Sequence, residues 1–230
     1  MKKLLTLAFA FVFMTGVAFA QNNDASISQA GDDHDATINQ VGQLNEAFVD
    51  QTDGGGGSTG NAVADITQEG SSNLVNLRQT AFFGDSYAEV TQIGNNNRVH
   101  GQTEDDAFLQ SNAGGIVDVQ MEGDDNVLYS LRGEAQKNGN IFELDIRGSA
   151  NEVGLLQEFG EGYVDIIGSD NDVTLDQQAG ANWNTALYNQ AFVDIDGDSN
   201  MVDVSQRSTA NTAHVDVIGS GNTATINQSN

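Results

Sequence analysis

The amino-acid sequence predicts an all-β protein, a single-chain β-solenoid of stacked strand-arc-strand repeats that form two facing parallel sheets. Three observations predict this fold: a glycine-centred unit recurs along the chain, apolar side chains alternate with polar ones within each unit, and proline is absent. Proline removes a backbone donor from a sheet ladder, so its absence suits a chain of uninterrupted β-pairing. After residue 20, no long segment has the 3.6-residue periodicity of a helix.

A set of glycines marks the repeat. After a first spacing of 11 residues, they follow one another at intervals of 20 to 29 residues, which is the range in which repetition indicates a solenoid or an array. The glycines are Gly31, Gly42, Gly70, Gly94, Gly123, Gly148, Gly168, Gly197 and Gly219.

Each of these glycines has similar neighbours. An aliphatic residue stands four positions before it, and Ala, Val or Leu stands five positions after it. Asparagine stands three positions after every glycine except the first, which has His34 there. The asparagines are Asn45, Asn73, Asn97, Asn126, Asn151, Asn171, Asn200 and Asn222. Agreement at this many positions identifies an internal repeat.

The spacing within a unit predicts its shape. Val164, Asp165 and Ile166 alternate between apolar and polar, as expected for a strand with one buried face. Between the two strands lies Gly-x-x-Asn, and because glycine and asparagine tolerate positive φ, this is the predicted bend. One unit cannot bury its own apolar face, so units should stack about 4.8 Å apart. Residues 25–228 should then form roughly seventeen strands, or about eight coils.

Stacking should place equivalent amide side chains above one another. Glutamine stands nine positions after seven of the nine glycines, and Thr103 and Arg132 are the exceptions. Such columns can form hydrogen-bonded ladders like those of cross-β fibres, although the asparagines could instead serve only the bend. The glutamines at this offset are Gln40, Gln51, Gln79, Gln157, Gln177, Gln206 and Gln228.

Residues 1–20 resemble a secretory signal peptide. Lys2 and Lys3 precede an apolar run, and Ala18-Phe19-Ala20 fits a cleavage site. The apolar run is too short for the alternative, a transmembrane anchor. We therefore expect a secreted protein in which residues 21–230 form one repeat domain, with a flexible glycine-rich linker near residues 53–60 and no membrane insertion.

The charge and the absence of cysteine narrow the functional classes. Without the two lysines of the signal peptide, the chain keeps 33 acidic residues against six basic ones. Such a surface repels nucleic acid and anionic membranes. Because the chain has no cysteine, its stability must come from packing and backbone ladders rather than from disulfides.

The repeat resembles that of the curlins, the subunits of bacterial curli fibres: Ser-x5-Gln-x-Gly-x2-Asn-x-Ala-x3-Gln. The segment 40–51 has Gln-x-Gly-x2-Asn-x-Ala-x3-Gln and fits from the first glutamine onward. The segments 68–73 and 92–97 both read Gln-x-Gly-x2-Asn. The similarity covers nearly all of residues 21–230.

The resemblance implies a function. Curlins leave the cell through a dedicated outer-membrane pore, assisted by periplasmic chaperones, and polymerise at the surface into amyloid fibres that support biofilm and adhesion. It implies self-assembly, a second curlin-like subunit as partner, and a ladder role for particular residues. These are Gln29, Gln40, Gln51, Gln68, Gln79 and Gln92, with Asn45, Asn73 and Asn97. The repeat extends the set of candidates to Gln157, Gln177, Gln206, Gln228 and Asn222.

The later units depart from the curlin pattern. From Gly123 onward, the glutamine two positions before glycine is replaced by an apolar residue, which exchanges a polar ladder for an apolar column. The replacements are Met121, Ile146, Ile166, Ile195 and Val217. Whether the chain is a major or a nucleating subunit stays open.

No catalytic motif and no cofactor site is predicted. The three histidines, His34, His100 and His214, occupy unrelated offsets and are predicted to lie on the surface. We hypothesise one cation site, because the outward position three residues before glycine is acidic in the later units, and stacked carboxylates repel unless protonated or bridged. The column comprises Asp145, Asp165, Asp194 and Asp216. The alternative is a solvated acidic face.

The two ends of the predicted rod favour polymerisation. The first and last units both fit the repeat, whereas solenoids that stay monomeric usually carry atypical capping units. Two other classes of function remain. An adhesin would use outward aromatics such as Phe48 and Tyr129, or a threonine ladder, for which Thr37, Thr174 and Thr225 come from separated units. A polysaccharide-acting enzyme would need its acids clustered in a cleft, and here they are spread over every unit.

Overall fold

The structure is a computed structural model that describes residues 22–54, 60–81, 84–111, 116–132, 135–137, 141–158, 160–178, 189–208 and 210–229. The predicted signal peptide and residues 55–59 of the predicted linker lie outside the described residues. Within them, nineteen strands and no helix are found, and hence no helix of the length and apolarity needed to cross a membrane.

The strands are β1 (Asp24–Ala30), β2 (Asp35–Gln43), β3 (Glu46–Asp53), β4 (Ala62–Ser71), β5 (Leu74–Ala81), β6 (Ser86–Asn95), β7 (Arg98–His100), β8 (Phe108–Ser111), β9 (Ile116–Glu122), β10 (Val127–Ser130), β11 (Gln136–Lys137), β12 (Ile141–Arg147), β13 (Glu152–Glu158), β14 (Gly160–Ile167), β15 (Asp172–Gln178), β16 (Asn189–Asp196), β17 (Met201–Gln206), β18 (Thr212–Ile218) and β19 (Thr223–Gln228).

The strands form two parallel sheets, so the predicted β-solenoid is confirmed. The smaller sheet has eight strands, ordered β2-β4-β6-β9-β12-β14-β16-β18. The larger sheet has eleven, ordered β1-β3-β5-β7-β10-β13-β15-β17-β19, with β8 and β11 beside this path. The chain therefore crosses from one sheet to the other at every arc and returns one level higher.

Two levels of the larger sheet are interrupted by loops. Strand β5 pairs with β7 through Leu74 and Arg98, and with β8 through Gln79 and Gln110. Residues 101–107 lie between these two strands. The loop therefore leaves the ladder after one strand and rejoins it in register at the next.

The core lies between the two sheets and runs along the whole rod. In β12 the inward side chains of Phe142, Leu144 and Ile146 are buried, and the outward ones alternate with them. At the two ends of the rod, Ile38 and Ile226 are only partly buried against the same core. The apolar columns thus continue to both ends of the described structure.

Stacked glycines form the arcs that lead from the smaller sheet to the larger one. All of them have positive φ, and a Cβ added to Gly94 would lie 1.9 Å from the carbonyl oxygen of Gly123. The close approach to the next carbonyl oxygen excludes any side chain at the stacked glycines from Gly42 to Gly197. Gly31 does not belong to this column: it lies on the opposite arc, where its added Cβ would meet the Asp53 carboxylate. Because Gly31 and Gly42 lie on opposite arcs of one coil, the spacing between them is shorter than the others.

The second positive φ of each arc is not at the asparagine. It falls one residue earlier, for example at Ser72 (φ 59°) and Asn96 (φ 57°), each directly before an asparagine of the repeat. The asparagine can therefore turn its side chain inward, where Asn73 and Asn97 are fully buried. The bend was predicted at the correct place, but the asparagine has a different role in it.

Candidate functional site: stacked amide columns and open edges

The asparagines of the arcs form one continuous hydrogen-bonded column. In each coil the backbone N–H of the asparagine donates to Oδ1 of the asparagine in the preceding coil, at 2.9 to 3.1 Å. From Asn23 to Asn171, Nδ2 donates to the carbonyl oxygen of the stacked glycine in the following coil, at 2.8 to 3.2 Å. The members are Asn23, Asn45, Asn73, Asn97, Asn126, Asn151, Asn171, Asn200 and Asn222.

A glutamine column runs inside the larger sheet. From Gln29 to Gln79, and again from Gln157 to Gln206, Nε2 donates to Oε1 of the glutamine in the following coil, at 2.8 to 3.3 Å. The same Nε2 also donates across the core, as from Gln51 to the carbonyl oxygen of Asp35 at 2.9 Å. Hydrogen-bonded members are Gln29, Gln51, Gln79 and Gln110, then Gln157, Gln177, Gln206 and Gln228.

The sequence prediction missed one member of this column, Gln110, and did not place Gln136, whose backbone lies at the same position in register. The fixed offset from glycine pointed to Thr103 and Arg132, which lie in the loops that interrupt β7–β8 and β10–β11. The backbone register instead pairs Gln136 with both Gln110 and Gln157. A search for the next glutamine after each loop could have found them. An inserted loop changes the distance in sequence from the repeat glycine but not the position in register.

The glutamines of the smaller sheet form a second, shorter column. Gln40 donates to Gln68 at 2.8 Å, and Gln68 donates to Gln92 at 2.9 Å. The next residue in register is Met121, and Nε2 of Gln92 donates to the carbonyl oxygen of Leu74 at 3.2 Å. The polar column thus ends at Gln92. In the following coils, the predicted apolar residues occupy the same position in register.

The four aspartates stand in register on the outer face of the smaller sheet. Asp145 pairs with Asp165, Asp165 with Asp194, and Asp194 with Asp216. Burial, and then the carboxylates of Asp145 and Asp194, raise the pKa of Asp165. Among the described residues, no group of three His, Cys, Asp or Glu side chains is arranged to hold a metal ion. Cation binding by this column remains a hypothesis.

An aromatic stripe beside the aspartates was not predicted. Glu143, Tyr163, Phe192 and His214 are in register on neighbouring strands. The rings of Tyr163 and Phe192 stack with centroids 5.3 Å apart and planes 5° from parallel. These residues line a shallow groove together with Asp145, Asp165 and Asp194. A common offset, five residues before glycine, could have revealed the stripe.

The aromatics and threonines considered for an adhesin lie elsewhere. Phe48 and Tyr129 are half-buried on the larger sheet. Asp203 lies in register between Thr174 and Thr225, so these two threonines are not adjacent in a ladder.

Two of the histidines predicted to lie on the surface are buried. The side chain of His34 is 2% exposed, with Nε2 lying 3.2 Å from Oδ1 of Asp53, and its Nδ1 accepts a hydrogen bond from the backbone N–H of Ala62. His100 is buried and stacks on Tyr129. Their neighbours come from other coils, which is why the local sequence did not indicate burial.

The ends of the rod differ from its middle. Strands β1 and β2 form one end of the described structure, and β18 and β19 form the other. Every residue of β1 is exposed, and Ile27 is 45% exposed, whereas Val49, its partner in β3, is 2% exposed. Both edges therefore carry apolar and amide columns that stop at solvent within the described residues.

Comparison with known proteins gives one family. The curlin associated repeat matches residues 20–56, 168–207 and 197–229. No curated protein and no solved structure matches the chain. The described residues between 57 and 167 continue the register of the matched segments, because Gln68, Gln79 and Asn97 occupy the same columns as residues inside the matches.

Proposed function

Starting from a chain that carries curlin associated repeats and thereby belongs to the curlin family, we propose that it is a structural subunit of extracellular curli-like amyloid fibres. The subunits stack end to end, and the fibres support the biofilm matrix and cell adhesion. The observation that carries the proposal is the continuity of the amide and apolar columns to both open edges. The chain is exported through a curli-type outer-membrane pore and assembles with copies of itself and with a second curlin-like subunit.

The hydrogen bonds of the columns give the rod a direction. In the larger sheet the bonds between glutamines run from Nε2 to the following coil, so Gln228 ends the column with a donor and Gln29 begins it with an acceptor. In the arcs, Oδ1 of Asn222 stands at the same end as Gln228 and can accept from an asparagine of a following coil, as Oδ1 of Asn200 does. Head-to-tail contact thus pairs donors with acceptors, and head-to-head contact does not.

The apolar columns support the same arrangement. At one end Ile38 is partly buried, and at the other Val215 and Ile226 end the corresponding columns of the two sheets. Covering them with a second copy removes apolar surface from water and completes two unpaired strand edges. Each further subunit regenerates the same edge, so growth continues.

The aromatic stripe supports a second candidate function. Tyr163 and Phe192 stack on the outer face beside acidic side chains, and this surface is not used by end-to-end stacking. It suits a secreted adhesin or a cation-binding surface protein that does not polymerise. The two functions differ in whether the purified protein forms fibres.

A thioflavin-T time course on residues 21–230, with electron microscopy of the end point, tests the proposal. We expect a lag, unbranched fibres, and loss of the lag when preformed fibres are added as seeds. A β-rich protein that stays monomeric at high concentration, with and without seeds, would refute the fibre function and favour the surface-binding one.

A further inference from the structure

We propose that β1 is a displaceable cap, which occupies on β3 the place that β19 of a second copy takes during assembly. The inference rests on the proposed function, because it describes how one subunit joins the next. Four observations support it: the number of levels in each sheet, the sequences of β1 and β19, the contacts of β1, and its exposure.

The two sheets do not have the same number of levels in the described residues. The path through the larger sheet has nine, beginning and ending with β1 and β19, and the smaller sheet has eight. If β1 stays on β3 when two copies stack, β19 meets β1, and the smaller sheet lacks one level at the junction. If β1 leaves, β18 pairs with β2 and β19 pairs with β3, and both sheets continue without a gap.

Strands β1 and β19, each with the asparagine before it, share one pattern. Residues 23–29 and residues 222–228 both read Asn-x-Ala-x-Ile-x-Gln. Ala25, Ile27 and Gln29 face Ala47, Val49 and Gln51 of β3 in register. Ala224, Ile226 and Gln228 occupy the same three columns on β17. The side chains that β1 places on β3 are therefore those that β19 of another copy would place there.

The polar contacts of β1 can also be made by β19. Gln29 donates to Oε1 of Gln51 at 2.8 Å, and Oδ1 of Asn23 accepts from the backbone N–H of Asn45 at 3.0 Å. Asn23 also donates to the carbonyl oxygen of Gly42 at 3.2 Å. Gln228 and Asn222 have the same amide groups in the same columns, so the exchange conserves these hydrogen bonds.

The exchange removes a repulsion. In register, Asp24 of β1 lies beside Glu46 of β3, and like charges directly opposite on neighbouring strands destabilise the pair. Strand β19 carries Thr223 in that column. Since every residue of β1 is exposed, the cap is also weakly held. The free subunit thus covers its own edge with β1. When β19 of a second copy takes that place, the repulsion between Asp24 and Glu46 is removed.

Matched substitutions in the two strands test the cap. Ile27→Ser loosens the cap and should raise the seeded elongation rate by about threefold, whereas Ile226→Ser weakens the incoming strand and should lower that rate by about tenfold. If β1 instead remains in the junction, both substitutions slow elongation, and that result would overturn the inference. Circular dichroism of both monomers checks that they fold.

A reversible disulfide gives an independent test. Ser28 and Asp50 are in register, and the spacing of about 4.8 Å between strands lies within the Cα separations of disulfides. Oxidised Ser28→Cys/Asp50→Cys protein should not elongate seeds, and its reduced form should do so. Elongation at equal rates in both forms would contradict displacement of β1 while leaving the fibre function intact.

A peptide test separates the cap from the fibre function. If wild-type protein forms no fibres, the proposed function is wrong, and the cap is still decided by a fluorescent peptide of residues 222–229. It should bind the Ile27→Ser monomer more tightly than the wild type and should not bind the oxidised disulfide form. Equal binding to all three proteins would overturn the inference.

Discussion

Asn126 donates to Oδ1 of Asn97 twice, from its backbone N–H at 3.1 Å and from its side-chain Nδ2 at 3.0 Å. Its Nδ2 also donates to the carbonyl oxygen of Gly148 at 2.9 Å. One buried side chain therefore satisfies polar groups of the coils below and above it. In the arcs, side-chain hydrogen bonds thus join neighbouring coils in addition to the backbone ones.

Replacing Asn126 should be costly. Asn126→Leu leaves the carbonyl oxygen of Gly148 and the backbone N–H of Asn151 without their side-chain partners, and each buried unsatisfied group costs about 1–3 kcal/mol. We expect the free energy of unfolding, measured by chemical denaturation, to fall by about 2–5 kcal/mol. Asn76→Leu on the half-exposed outer face is the control, and an equal loss in both variants would contradict a structural role for the column.

The short glutamine column should tolerate change better at its end than in its middle. Gln92→Met leaves Gln68 with its bond to the carbonyl oxygen of Glu46, so we expect a cost below about 1 kcal/mol. Gln68→Met removes the donor to Oε1 of Gln92 and should cost about 1–3 kcal/mol. Denaturation midpoints of the two variants decide this, and a larger cost at Gln92 would show that the columns do not act as directional ladders.

The stacked glycines should exclude even a methyl group. An added Cβ at Gly123 (φ 119°) would lie 1.9 Å from the carbonyl oxygen of Gly148, so Gly123→Ala should destabilise by at least about 3 kcal/mol. Gly221 also has positive φ, at 70°, but nothing lies within 4 Å of its added Cβ. Gly221→Ala should cost about 1–2 kcal/mol. Similar thermal midpoints for the two variants would be inconsistent with close stacking of the arcs.

Asp165 should contribute more to the stability of the fold in acid than at neutral pH. Burial and the neighbouring carboxylates raise the pKa of Asp165 above its ordinary 3.8. Because the folded pKa is the higher one, this contribution is fully present below the unfolded value and is lost as pH rises through the folded value. Asp165→Asn should therefore raise the unfolding midpoint near neutral pH and change it less near the unfolded pKa.

Asp203→Asn provides the control for the acid prediction. Asp203 lies between Thr174 and Thr225 rather than between carboxylates, so its removal should raise the midpoint at neutral pH less than Asp165→Asn does. An equal gain at neutral pH in both variants would mean that net charge, and not the column, sets the effect.

Local patterns in the sequence predicted most of the fold. The two-residue alternation around Val164 and the recurring glycines can be read from residues close together in the chain. The two sheets, the arcs and most ladder residues could therefore be predicted. Gln110 could not, because residues 101–107 loop out and change its distance from glycine. The burial of His34 depends on Asp53 and Ala62, which lie beside it only after the coils stack.

Electron cryomicroscopy of fibres grown from residues 21–230 tests the central claim most directly. We predict rods stacked along the fibre axis, with β19 of one subunit on β3 of the next and the Asn and Gln columns continuous across the junction. Fibres in which the rods lie side by side with open ends, or a preparation that contains only single rods, would contradict end-to-end assembly.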